Sequence, residues 1–220
     1  MARMPRLVVP GFPHHVTQRG NRRMKTFFSQ AEYLAYLELL MEFREVAEVE
    51  IWAYCLMPNH IHMVVVPKSK EGLAVLFRHV HRQYTRRINF RENWTGHLWQ
   101  ERYHSFVMDE RHLLAAVRYT ELNPVRAGLC NSPQEWPWSS VHAHLASTDD
   151  GVVAVQPMLQ RVADWSSYLL DDVNEDDLAK MRKHGSTGRP AGSDRFLDRL
   201  QTLTDRSLMR GKPGPKVCIK

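Results

Sequence analysis

Residues 49–67, VEIWAYCLMPNHIHMVVVP, decide the fold. Two runs rich in β-branched and aromatic residues, VEIWAYCLM and HIHMVVV, flank Pro58-Asn59. Proline sits readily in tight turns and asparagine tolerates left-handed geometry, so the stretch predicts a β-hairpin. Upstream, PHHVTQRGN (residues 13–21) reads as a strand closed by Gly-Asn. Between them Ser29 is placed to cap a helix from Gln30 to Ala47, with Glu32 at the capping-box position and a stripe of Tyr33, Leu37, Leu40 and Met41. Downstream, residues 69–90 read as a helix with Leu73, Leu76, Phe77 and Val80 on its core face. ERYHSFVM (101–108) then reads as a strand. Asp109 is placed to cap a last helix through Asn123, ended by Pro124.

The order β-α-β-β-α-β plus a helix is that of an α+β, ferredoxin-like domain: an antiparallel sheet with helices on one face. Beyond residue 145 the pattern weakens. QPMLQRVADWSSYLLD offers one more helix. One amphipathic piece, Ser193 to Leu208, lies between two Gly/Pro/basic segments that read as flexible. This divides the chain into 1–145, a connecting segment 146–180 and an extension 181–220.

Charge follows the same division. Residues 1–144 hold 18 Lys/Arg against 13 Asp/Glu, residues 145–180 hold 2 against 8, and residues 181–220 hold 10 against 3. A basic body, an acidic joint and a basic tail suit a nucleic-acid binder; a solvated surface of mixed charge is the alternative. The N-terminus lacks the apolar core of a signal peptide, and no run is long enough to span a bilayer. Three scattered cysteines predict neither a disulfide framework nor a zinc knuckle, so a reducing cytoplasm is the expected setting.

His-x-His occurs three times, at 60/62, 79/81 and 142/144. On a helix, residues two apart diverge, which separates His79 from His81. On a strand they project side by side, so His60 and His62 share a face while Ile61 points to the other. The pair either sits on the solvated face of a one-sided sheet or forms part of a divalent-metal site. A further ligand would come from another element. In RYTELNP, Tyr119 and Asn123 are four apart and share a helical face. An asparagine carbonyl is a hard oxygen suited to Mg²⁺ or Mn²⁺. Tyr84 is the rival nucleophile, but its i+4 partner is Ile88.

These segments resemble a known family. PNHIHMVVVP resembles the HUH motif, histidine–hydrophobe–histidine, of single-tyrosine transposases. GHLWQERYHS, AVRYTELNPVRAGL and GFPHHVTQRGNRR are similar to segments of REP-associated tyrosine transposases, relatives of the IS200-type enzymes. The likeness runs from about residue 7 to 145, and TGRPAGSDRFLDRL is similar to the group's C-terminal extension. It implies a bacterial, nucleoid-associated, metal-dependent endonuclease and strand-transferase acting on single-stranded DNA and palindromic repeat hairpins through a 5′-phosphotyrosine. By that likeness 1–145 is the HUH endonuclease domain, His60, His62 and Asn123 bind Mg²⁺ or Mn²⁺, and Tyr119 is the nucleophile. Asn123 stands where many relatives have glutamine. The likeness implies either a monomer or a homodimer.

For DNA, Arg22, Arg23, Lys25, Arg82, Arg86, Arg87, Arg118 and Arg126 offer phosphate contacts. Trp94 and Trp99 offer rings for stacking on unpaired bases or for core packing. GRP and RGKPGPK in the extension suit a minor groove, a solubilising tail, or a cover over the active site. The rival functions are a non-catalytic DNA- or RNA-binding module and a metal hydrolase that uses water. RNA-binding sheets of this shape expose aromatics rather than histidines.

Overall fold

The hairpin forms across Pro58-Asn59 as expected, with Asn59 outside the left-handed region. In a computed structural model that describes residues 6–171 and 175–208, β2 (Val49–Met57) and β3 (His60–Pro67) pair antiparallel across Pro58-Asn59. β1 (His14–Arg19) joins the free edge of β3, and β4 (His104–Val107) joins β1. All pairings are antiparallel, in the order β2-β3-β1-β4, which is the expected α+β arrangement. β3 and β1 are therefore the central strands.

One face of the sheet carries α1 (Gln30–Val46) and α2 (Gly72–Glu92). Val16, Ile51, Tyr54, Leu56, Ile61, Met63 and Val65 project into a core shared with Tyr36, Leu40, Phe43, Leu73, Phe77, Val80 and Tyr84. The Glu32 carboxylate accepts the Ser29 backbone N–H at 2.6 Å, which satisfies a donor at the α1 start. Glu32 also pairs with Arg91 of α2, tying the two helices together. The buried stripe of α1 is Tyr33, Tyr36, Leu40 and Phe43 rather than the expected set; Met41 is exposed and Leu37 only half-buried. The aromatic residues win because α1 faces a ring-rich core of Phe27, Tyr84 and Trp99.

A bulge between Ile51 and Ala53 breaks the alternation of β2. Trp52 and Ala53 consequently both join the opposite face, with Val64, Val66 and Phe106. That face is also covered. α3 (Glu110–Glu121), α4 (Asn123–Arg126), α5 (Val141–Ala146), α6 (Gln156–Leu159), α7 (Trp165–Leu170) and α8 (Glu175–Thr187) follow in order. Leu113, Ala116 and Val117 of α3 pack there with Val141, Met158, Trp165, Leu169 and Met181. The stretch read as one helix around residues 156–171 is two short ones. The Gly/Pro/basic segment after residue 181, read as flexible, instead begins inside α8, which runs through Gly185. α9 (Asp194–Thr204), capped by Ser193, falls within the expected amphipathic piece and closes a small cluster of Leu7, Val9, Val107, Leu200 and Leu208. RGKPGPK lies outside the described residues.

α3 stops two residues before Asn123, and Pro124 lies in the first turn of α4 rather than after a helix. Proline lacks an N–H to donate, which is harmless only in the first turn of a helix. Among the described residues no helix is long and apolar enough to cross a membrane.

Candidate active site

On β3 the side chains of His60, His62, Val64 and Val66 share one face. Val64 and Val66 lie under the helical cover, whereas His60 and His62 stand where the cover opens. Strand pairing sets what surrounds them. Arg19 lies opposite His60, Thr17 opposite His62, and His15 opposite Val64. On β4, His104 lies opposite Thr17 and Phe106 opposite His15. Directly opposed residues share a face, so four histidines from three strands line one cleft of about 530 Å³. Its far wall is α8, through Met181, Arg182, Gly185 and Ser186, and His104 Nδ1 lies 3.2 Å from the Gly185 carbonyl oxygen.

Tyr119 enters this cleft from α3. Its ring stands edge-on to His62, with centroids 5.2 Å apart at 85°, and 6.2 Å from His15. The Arg126 guanidinium lies 5.2 Å from the centre of the Tyr119 ring. The helix that carries Tyr119 is anchored two residues further on. Glu121, fully buried, accepts from Ser140 Oγ at 2.6 Å and from Trp165 Nε1 at 2.9 Å, and meets His144 Nδ1 at 2.6 Å. A buried carboxylate needs such partners to remain in place.

Both imidazoles of the pair have a partner at Nδ1. His60 Nδ1 lies 2.6 Å from Asn59 Oδ1, and His62 Nδ1 lies 3.3 Å from His15 Nε2. Burial, with Arg19 nearby, pushes His60 down to about 4; burial together with His60 and His15 holds His62 well below the usual range. Burial alone lowers His15 to about 4. The rings are thus neutral at pH 7, the state in which imidazole binds a metal. Among the described residues no three His, Cys, Asp or Glu side chains converge as a metal-binding group. The donor set fits a hard divalent ion that takes two imidazoles and completes its shell with oxygens. Asn123 is buried at the start of α4 and is not one of the residues lining the cleft.

The other candidate residues separate by location. Arg23 lines the cleft, while Arg22 and Lys25 are exposed beside it. Gly20 makes this approach possible: a Cβ there would come within 2.4 Å of the Met24 carbonyl oxygen, and its N–H donates to the Asn59 carbonyl at 2.8 Å. Arg118 turns to Asp171 at 3.0 Å and stacks over Tyr168, away from Tyr119's contacts. Arg82, Arg86 and Arg87 are exposed on α2, against the other face of the sheet, with Phe90 and Trp94 at its end. Trp99 is buried against His81, 4.7 Å between centroids, and Tyr36. Tyr84 is fully buried and donates to the Thr26 carbonyl at 2.7 Å.

His15, Thr17, Arg19, His104 and Arg182 were not expected at the site. Their signal was strand phase within VTQR and YHS, but only the pairing register shows which phase meets His62. Nothing local in RKHGS marks Arg182 as a neighbour of the sheet.

With the geometry in view, comparisons with known proteins are specific. The family model described as Transposase IS200 like matches residues 9–123. An Escherichia coli REP-associated tyrosine transposase is 24% identical over 127 residues, covering 57% of this chain and 73% of that protein. A Haemophilus influenzae protein that carries the same description provisionally is 28% identical over 104 residues; the match covers 42% of this chain and 59% of that relative's length. A solved structure of a REP-associated tyrosine transposase bound to a REP hairpin aligns with a TM-score of 0.58 at 21% identity, over 70% of this chain and 92% of the other.

Proposed function

The chain belongs to the family of IS200-like transposases, and on that premise we propose that it nicks and rejoins single-stranded DNA through a covalent bond to Tyr119. The observation that carries this reading is the Tyr119 ring standing against His62 at the mouth of a cleft lined by neutral imidazoles and arginines.

In this mechanism the Tyr119 hydroxyl oxygen attacks the scissile phosphorus. The P–O3′ bond breaks, the proton given up by the Tyr119 hydroxyl is balanced by the one the departing 3′-oxygen takes up, and the 5′ side remains as a phosphotyrosine. Attack by another 3′-hydroxyl reverses these steps and frees Tyr119, so the phosphodiester bond energy is kept without a nucleotide cofactor. His60 and His62 would hold Mg²⁺ or Mn²⁺, with oxygens completing its shell, and the ion would supply charge stabilisation at the scissile phosphate. Arg126 beside the Tyr119 ring, and Arg19, Arg23 and Arg182 around the cleft, bind the flanking phosphates. The exposed arginines of α2, with Arg22, Lys25 and Trp94, hold the strand beyond the cleft.

The substrate we assign is a hairpin-forming palindrome with an unpaired flank. The relatives described as REP-associated, one of them bound to a REP hairpin, support that choice. The protein would then act in the cytoplasm, at the bacterial nucleoid.

The test is to incubate the full chain with labelled single-stranded hairpin DNA and Mg²⁺ or Mn²⁺, then resolve the products on a denaturing gel. A protein–DNA adduct that disappears in Tyr119→Phe is the expected result. Cleavage without an adduct would point to a hydrolase, and binding without cleavage to a DNA-binding module.

A further inference from the structure

We propose that Asn59 and His15 are positioning residues that lock the two site imidazoles in one tautomer, with Nδ1 protonated and Nε2 bare on both rings. This inference rests on the reading of His60 and His62 as metal ligands, and it identifies what prepares them.

The case for Asn59 is one of forced hydrogen-bond direction. Its Nδ2 donates to the Arg23 carbonyl oxygen at 3.0 Å. A backbone carbonyl can only accept, so the amide cannot be turned the other way. Oδ1 therefore faces His60 Nδ1 at 2.6 Å, and Nδ1 must carry the proton. Nε2 of His60 is left as a lone pair.

His62 is set differently. Its Nδ1 and His15 Nε2 lie 3.3 Å apart, both rings are buried, and a single proton must lie between them. If His15 held that proton, His62 would carry its own on Nε2 and could not accept a cation. If His62 Nδ1 donates, Nε2 is free. Only the second arrangement gives a matched pair of ligands on neighbouring same-face positions of β3.

Packing alone does not explain His15. Its ring sits among Phe106, Tyr119 and His62, where an apolar side chain would serve. Instead its Nδ1 is buried with no hydrogen-bond partner among the described residues, an uncompensated desolvation. A residue that keeps a metal-binding histidine in register is a physical reason to tolerate it, since outer partners of ligating histidines fix both tautomer and ring orientation. His15 belongs to β1 and Asn59 to the hairpin turn, so the two ligands are set by different elements.

The experiment uses the full chain with ring-¹⁵N histidine and Zn²⁺ as a diamagnetic probe. Long-range ¹H–¹⁵N spectra are recorded with and without the metal. The expected result is a protonated Nδ1 on His60 in both states, and Zn²⁺ shifts confined to Nε2 of His60 and His62. In His15→Leu the Zn²⁺ affinity should fall about 10–100-fold, the range measured for lost outer partners, with no loss of melting temperature. His15→Gln, whose amide oxygen can accept the same N–H, should regain most of it. Zn²⁺ on His62 Nδ1, or wild-type affinity in His15→Leu, would overturn the role of His15. His60 protonated on Nε2 would overturn that of Asn59. A wild-type chain in which Zn²⁺ perturbs neither ring overturns the metal-site reading itself, and this inference with it. If His15→Leu does not fold, the wild-type spectra alone decide.

Discussion

The ring of Tyr119 meets the ring of His62 edge-on, 5.2 Å between centroids, although the two residues come from different layers of the fold. Tyr84 sits on the opposite side of the sheet, sealed among Phe27, Tyr36 and Trp99. The two tyrosines should therefore fail differently. Tyr119→Phe should abolish the covalent adduct and leave the melting temperature within a degree or two. Tyr84→Phe should keep the adduct and cost about 1–3 kcal/mol, because the Thr26 carbonyl loses its donor in a buried site. An adduct lost in Tyr84→Phe and kept in Tyr119→Phe, at equal folding, would reverse the assignment.

Much of this layout was legible in the sequence. Two runs rich in β-branched and aromatic residues, flanking Pro58-Asn59, were enough for the hairpin, and strand phase was enough to put His60 and His62 side by side. The second covered face was not legible. Beyond α3, its cover comes from short helices after residue 140, each too brief for a periodic signal, and from α8, whose Gly185 reads as a helix breaker. The i, i+4 argument for Tyr119 and Asn123 assumed one helix through both. Instead Leu122 separates the end of α3 from the first turn of α4, where Pro124 lies. Glu121 reads as one more surface acid until Ser140, His144 and Trp165, all distant in sequence, are brought to it.

Glu121 predicts a structural variant with a catalytic consequence. Removing one member of a buried, hydrogen-bonded ionic cluster typically costs about 3–5 kcal/mol, since the remaining polar groups stay buried. Glu121→Ala should lose stability on that scale in urea unfolding. Glu121→Gln, which keeps one carbonyl acceptor, should lose less. Adduct formation should fall in both variants in proportion to the loss of order in α3. A fully stable Glu121→Ala would show that the cluster does not anchor the helix.

Acid should destabilise the protein through its buried histidines, of which His14 is one that lies outside the cleft. Its Nε2 accepts from the Val9 N–H at 3.1 Å, so Nδ1 carries the proton and donates to the Phe12 carbonyl at 2.8 Å. Burial, partly offset by the Phe12 bond, lowers this histidine to about 4. The unfolded chain, with an ordinary histidine near 6.5, takes up the proton first. The stability tied to neutral His14 is complete above pH 6.5 and is lost as pH falls toward 4. It amounts to about 3 kcal/mol at 1.36 kcal/mol per pKa unit. Urea midpoints should drop across that window, and His14→Gln should flatten the drop. An unchanged pH profile in that variant would clear His14 of the effect.

The arginines of α2 should contribute to binding and not to chemistry. Arg82, Arg86 and Arg87 are exposed, and α2 packs on the face of the sheet opposite the histidines. They end in an aromatic corner where Phe90 is 90% exposed, and Phe28 meets Trp94 at 5.9 Å with Arg91 over the Phe28 ring. If each arginine neutralises one phosphate of a single strand, the slope of log affinity against log salt should fall by about 0.7 for each one removed. The triple alanine variant should thus lose about 2 units of slope. At saturating DNA, however, the rate of adduct formation should match the wild type, because the Tyr119 cleft lies across the sheet from α2. A normal slope with a slowed covalent step would mean that α2 reaches the cleft in the complex. A normal slope with a normal step would mean that the strand leaves the protein by another path, with Arg22, Arg23 and Lys25 beside the cleft carrying the phosphate contacts.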